Sequence, residues 1–120
     1  TKGYVFGGFT AISWASCAPN RFDKCSESFI FSLANPALQE PVKMNVKNSN
    51  HAIYNGKGFG PTFGGGHDFC IGTCANTNTN NITYCNHPGQ SYEFPPGISD
   101  PQFLAGSKNF QVSNYEVFQV

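Results

Sequence analysis

The sequence predicts an all-β fold, a two-sheet antiparallel β-sandwich with only minor short helices. Three observations lead there. No window sustains the apolar i, i+3, i+4, i+7 spacing that an amphipathic helix requires. Thirteen glycines and eight prolines punctuate the chain, and leucine occurs only at Leu33, Leu38 and Leu104, a balance that favours strands and turns over helices. Short apolar runs separated by turn-forming residues recur throughout, as in a sandwich. The length, 120 residues, fits one domain over 1–120.

The elements follow in chain order. Tyr4-Val5-Phe6-Gly7-Gly8-Phe9-Thr10 is apolar on both alternating faces, as a strand buried on two sides would be. Gly7 and Gly8 within it mark a bulge or a close backbone approach. Trp14 sits in a short connection, and residues 20–27 read as a polar loop. Ser28-Phe29-Ile30-Phe31-Ser32-Leu33 is the clearest buried strand, stopped by Asn35-Pro36. Val42, Met44 and Val46 alternate with Lys43, Asn45 and Lys47, a strand with one wet face. His51-Ala52-Ile53-Tyr54 is a shorter strand ended by Asn55-Gly56, a type I′ turn signature. Phe59 and Phe63 lie among the glycines of 58–66, and a strand resumes at Asp68-Phe69-Cys70-Ile71. The tract Asn76-Thr77-Asn78-Thr79-Asn80-Asn81 reads as an exposed loop, and Pro95-Pro96-Gly97 as a turn. Residues 109–120 are expected to supply closing strands. The expected core includes Phe6, Phe29, Ile30, Phe31, Tyr115 and Val117.

Composition narrows the function. Charged residues make up 12% of the chain, and seven basic residues balance seven acidic ones. With no Lys/Arg cluster, nucleic acid is not an expected partner. No apolar run approaches the ~20 residues of a membrane helix, so membrane insertion is not expected. Twelve Phe, five Tyr and one Trp supply ample surface to bury and argue against disorder. Five cysteines, an odd number, suit a reducing compartment and a cytoplasmic location. The sequon Asn81-Ile82-Thr83 points the other way, to secretion.

Several stretches together resemble one family. Gly3-Tyr4-Val5-Phe6-Gly7-Gly8-Phe9-Thr10 with Trp14 resembles the G-x-x-F-G-x-F…W opening of the TLDc core. Ser26-Glu27-Ser28-Phe29-Ile30-Phe31-Ser32 resembles its ESFLF strand, and Gly60-Pro61-Thr62-Phe63-Gly64-Gly65-Gly66 its glycine-rich segment. Phe103-Leu104-Ala105-Gly106-Ser107 through Glu116-Val117-Phe118 is similar to its closing strands. The resemblance implies a β-sandwich flanked by short helices and a role in oxidative-stress resistance, with binding to the vacuolar proton pump shown by some members. It carries no established catalytic mechanism. TLDc domains usually begin earlier, with a helix and strands that complete the sheets, and the chain is expected to lack that segment. A sheet edge left open in this way invites a protein partner or self-association.

The candidate chemistry is sparse. Gly64-Gly65-Gly66-His67-Asp68 is a candidate binding segment that could cradle an anion on backbone N–H groups. No P-loop lysine follows it, and the plainer reading has the glycines bend the chain while Phe63 packs inward. Glu27, at a family motif position, is the other candidate binding residue. It could pair with Glu116 in glycosidase fashion or simply cap a strand end. Cys70, Cys74, Cys85 and His87 offer four ligands in a C-x3-C-x10-C-x-H arrangement that could hold zinc. A Cys74–Cys85 disulfide and ordinary half-buried thiols are the alternatives. Cys17, near Arg21 and Lys24, is the cysteine best placed for a lowered thiol pKa. The leading expectation is a non-enzymatic interaction module. A self-assembling structural subunit and a thiol-dependent antioxidant domain are the alternatives.

Overall fold

The computed structural model describes residues 3–15, 20–57, 59–66, 68–72, 77, 81–82 and 91–120. Among the described residues nine strands form two antiparallel sheets. The smaller sheet has the order β1-β3-β4, from Val5–Phe9, Phe29–Ala34 and Val42–Asn45. The larger has the order β2-β5-β6-β7-β8-β9, from Arg21–Asp23, Ile53–Asn55, Phe59–Phe63, Phe69–Gly72, Asn81–Ile82 and Asn109–Phe110. The expected all-β sandwich is therefore present, and its helical content among the described residues is one 3-10 turn at Ser49–His51.

Register decides which side chains meet between the sheets. Gly8 pairs with Ile30 and Ile30 with Met44, so these residues share one face of the smaller sheet. Across the gap Ile53 pairs with Phe63 and Phe63 with Phe69. Ile30, Met44, Ile53, Phe63, Phe69, Tyr92, Phe103 and Leu104 form one buried cluster. Phe6 reaches across to Phe69, ring centroids 5.7 Å apart and edge-to-face, a favourable aromatic geometry. The glycines of β1 permit this packing. A Cβ on Gly8 would lie 2.6 Å from the Phe63 ring, and one on Gly7 2.7 Å from the Phe31 ring.

The same alternation corrects part of the expected core. Ile30 and Ser32 point inward and are buried, whereas Phe29 and Phe31 lie half-buried on the outer face of the smaller sheet. There Phe9 stacks on Phe29 at 5.2 Å, and the Lys43 ammonium sits 4.1 Å from the Phe29 ring centre, a cation–π contact. Strand β3 is thus buried on one side rather than two. Tyr115 and Val117 are not in the core; they are 64% and 83% exposed. The ladder with β8 ends at Phe110, and no described residue beyond it belongs to a strand.

Local chemistry explains the other departures. Strand β2 lies in the stretch expected to be a loop, where Phe22 pairs with Tyr54. His51 belongs to the 3-10 turn rather than to β5. Gly56 does not have the positive φ of a type I′ turn, so β5 and β6 are joined by a longer connection. Pro95-Pro96-Gly97 does turn, with the Ile98 N–H donating to the Pro95 carbonyl at 3.1 Å and Gly97 at φ 82°, as a type II turn requires. Residues 91–93 run beside β4. The Lys47 N–H donates to the Ser91 carbonyl at 2.7 Å, and the Glu93 N–H to the Asn45 carbonyl at 3.0 Å.

Candidate functional site

The glycine-rich segment closes against the segment around Tyr92. After β6, Gly64 and Gly66 adopt φ values of 87° and 82°, a conformation glycine enters without penalty. The Gly64 N–H donates to the Ala52 carbonyl at 3.1 Å, and the Gly65 N–H to Ser91 Oγ at 2.9 Å. Two of the amides that could cradle an anion are thereby committed to the protein itself. Asp68 is buried directly beneath Gly64, and a buried carboxylate at that place opposes a second negative charge.

A chain of buried hydroxyls continues from this turn. Tyr92 Oη donates to the Ala52 carbonyl at 2.7 Å and lies 2.6 Å from Ser28 Oγ, which is 2.9 Å from the Phe9 carbonyl. Burial pushes the Tyr92 hydroxyl well above the usual phenol range; the Ser28 bond opposes this, and the charges of Asp68 and Cys25 add to it. Tyr92 is thus a neutral donor at physiological pH, and its contacts join β1, β3 and the turn before β5. Two hydroxyl protons serve three contacts here. If Tyr92 is replaced by Phe, Ala52 keeps the Gly64 donor and Ser28 can turn wholly to Phe9. The expected loss is therefore about 1 kcal/mol, the low end for a buried hydrogen bond, read by urea unfolding. A loss above about 3 kcal/mol would show that the hydroxyl chain cannot rearrange in this way.

The other sequence-derived candidates do not join this cluster. Glu27 is exposed in the turn before β3. His67, Cys74, Cys85 and His87 lie outside the described residues, as does Cys17. Cys70 is buried on β7, where Thr62 Oγ1 donates to its sulfur at 3.1 Å. Burial pushes the Cys70 thiol up, and the Thr62 bond only partly offsets this, so Cys70 is held as a thiol with little nucleophilic character. Among the described residues no group of three His, Cys, Asp or Glu side chains could hold a metal ion.

Sequence reasoning missed a second polar centre, at Asn55. Asn55 is buried; its Oδ1 accepts the Ala15 N–H at 2.6 Å, and its Nδ2 donates to Asp23. Asp23 also accepts from Arg21 Nε at 3.1 Å. Beside it, Trp14, Tyr54, Phe59 and Pro61 line a shallow cleft of about 160 Å³. The sequence reads Asn55-Gly56 as a turn, and nothing local shows that the amide points inward.

The outer face of the smaller sheet leaves apolar side chains in contact with solvent, as does the cleft at Phe59. Leu33, 54% exposed, follows Phe29 and Phe31 on that face by strand alternation. The hydroxyl chain through Ser28 and Tyr92 and the amide of Asn55 are, by contrast, buried. No curated protein and no solved structure gives a significant match to the chain. The family model of the TLDc domain matches residues 1–120. The chain belongs to the TLDc domain family.

Proposed function

We propose that the chain is a non-enzymatic TLDc interaction module acting in oxidative-stress resistance, with the vacuolar proton pump as its partner. The observation that carries this reading is the outer face of the smaller sheet. Phe9, Phe29 and Phe31 present half-buried rings there, Leu33 is largely exposed, and Lys43 adds a positive charge beside Phe29. Aromatic rings with a neighbouring cation supply the anchors that protein interfaces concentrate. Buried Ser28 and Tyr92 are occupied in joining the sheets, and Cys25 and Cys70 are both buried, which weighs against either of these two thiols meeting peroxide.

The test uses purified vacuolar proton pump on a sensor surface and the full chain in solution. Wild type should bind saturably, and Leu33→Glu should weaken binding by roughly tenfold or more, because a charge would be set into an apolar contact. The exposed position allows the variant to fold, which circular dichroism checks. Absence of wild-type binding would remove the pump from the proposal, and equal binding by both would remove the face.

A further inference from the structure

The cleft beside Asn55 is walled by rings. Trp14, Tyr54, Phe59 and Pro61 line it, with Gly56 and Gly60 between them. Tyr54 and Phe59 meet edge to face, centroids 5.3 Å apart and planes at 84°, so together they make a corner. Gly56 lets both rings close on the backbone, because a Cβ there would lie 2.7 Å from Tyr54 Cε1 and 2.8 Å from Phe59 Cδ2. Two of the rings are braced by neighbours. Phe22 packs on Tyr54 at 5.0 Å, and Phe63 on Trp14 at 5.3 Å. The walls are thus held in place before a ligand arrives, which lowers the cost of binding.

The polar groups around the cleft decide which ligand suits it. Trp14 Nε1 donates to the Thr62 carbonyl at 3.3 Å, the Ala15 N–H to Asn55 Oδ1 at 2.6 Å, and the Phe59 N–H to the Gly56 carbonyl at 3.1 Å. Asn55 Nδ2 donates to Asp23. With these donors committed, an anion or a carbonyl-rich ligand would lose water without replacing it. What the cleft presents instead is π-electron density, with the Asp23 carboxylate one hydrogen bond beyond Asn55. That combination attracts a cation. Arg21 shares Asp23 at 3.1 Å but is 51% exposed, and Lys57 beside Gly56 is exposed, so salt screens both charges. A plain ammonium is strongly hydrated and brings three donors that rings cannot satisfy. A fully methylated one brings none. Size points the same way: about 160 Å³ lies well below the ~300–1,000 Å³ of a drug-sized pocket. It holds one compact group, whereas a polyproline peptide needs a groove several residues long.

We propose that this cleft binds a quaternary ammonium group, a trimethylammonium at the tip of a longer molecule, against the rings of Trp14, Tyr54 and Phe59. The cation sits within about 6 Å of the ring centres, the range over which the ring quadrupole acts. The carrier of the group stays outside, because the cleft is shallow. The site goes beyond the interaction-module reading and uses none of the side chains on the face assigned there to the pump.

The chain has one tryptophan, so its indole N–H resonance reports on the cleft directly. Titration of the full chain with choline, at about 0.15 M salt to suppress non-specific attraction, should move that resonance saturably with a Kd on the order of millimolar. The neutral isostere 3,3-dimethylbutan-1-ol has the same shape without the charge and should bind roughly tenfold more weakly. Phe59→Leu keeps most of the apolar volume at a 41% exposed site and should weaken choline by roughly fivefold or more, with an unchanged circular dichroism spectrum. A short peptide carrying one trimethyllysine, set against its unmethylated form, identifies the carrier. Methyl-dependent binding tighter than choline assigns the group to a protein, and binding no tighter assigns it to a free small molecule. Absence of a saturable shift with choline would overturn the inference. Equal binding of the neutral isostere, or full affinity in folded Phe59→Leu, would do the same.

Discussion

Replacing Gly64 by alanine is expected to remove about 4 kcal/mol or more of stability, a large share of the roughly 5–15 kcal/mol that holds a domain folded. Two separate costs meet at this residue. Its φ of 87° costs an L-residue about 1–2 kcal/mol. An added Cβ would also lie 1.6 Å from Asp68 Oδ2 and 2.6 Å from Asp68 Cγ. Asp68 is 4% exposed, so its short side chain cannot swing into solvent without opening the turn. Gly97 supplies the control: its φ is 82°, yet nothing lies within 4 Å of a Cβ placed there. Gly97→Ala should therefore show the backbone cost alone, about 1–2 kcal/mol. Urea unfolding of the two variants separates the terms. Equal losses would mean that the carboxylate beneath Gly64 yields freely, and that the buried turn is less rigid than its packing indicates.

How far the sequence foretold this arrangement depends on the range of the contacts involved. Strand β3 and the alternating β4 were legible because their periodicity is a local property of side chains. The glycine pair in β1 announced a close approach, and the approaching rings prove to be those of Phe31 and Phe63. Strand β2 was not legible, because Arg21–Asp23 is short and polar and its strand character comes from pairing with β5. Strand β6 was obscured by Gly60 and Pro61, although Gly60 is needed where a Cβ would meet the Ile71 carbonyl oxygen at 2.2 Å. The apolar pattern of 115–118 suggested core, yet burial requires a partner strand, and β9 ends at Phe110. At the candidate site, the glycines and Asp68 were visible as residue types. The hydroxyl chain through Ser28 and Tyr92 spans 64 positions, and no local pattern encodes a contact at that separation.

Phe63→Ala is the second substitution expected to have a large effect, about 3–5 kcal/mol, or a fall of roughly 10–20 °C in Tm for a domain of this size. Phe63 is 2% exposed and holds three rings around it, with centroids of Trp14 at 5.3 Å, Phe69 at 4.8 Å and Tyr92 at 6.2 Å. Its fourth neighbour is the backbone of β1 at Gly8, which is held in register by β3 and cannot collapse into the cavity. Phe59 on the same strand is 41% exposed, and its truncation should cost about three-fifths as much, in proportion to the smaller area buried. The contact with Gly8 makes a sharper test, by double-mutant cycle. In the wild-type background Gly8→Ala overpacks the site, because its Cβ would meet the Phe63 ring at 2.6 Å, and it should destabilise by about 1–3 kcal/mol. In the Phe63→Ala background the same methyl enters the vacated space, so Gly8→Ala should be neutral or mildly stabilising. The expected coupling is about 1–3 kcal/mol in the direction of rescue. Additive losses in the double variant would show that β1 does not rest on Phe63, and that the two sheets meet in some other way.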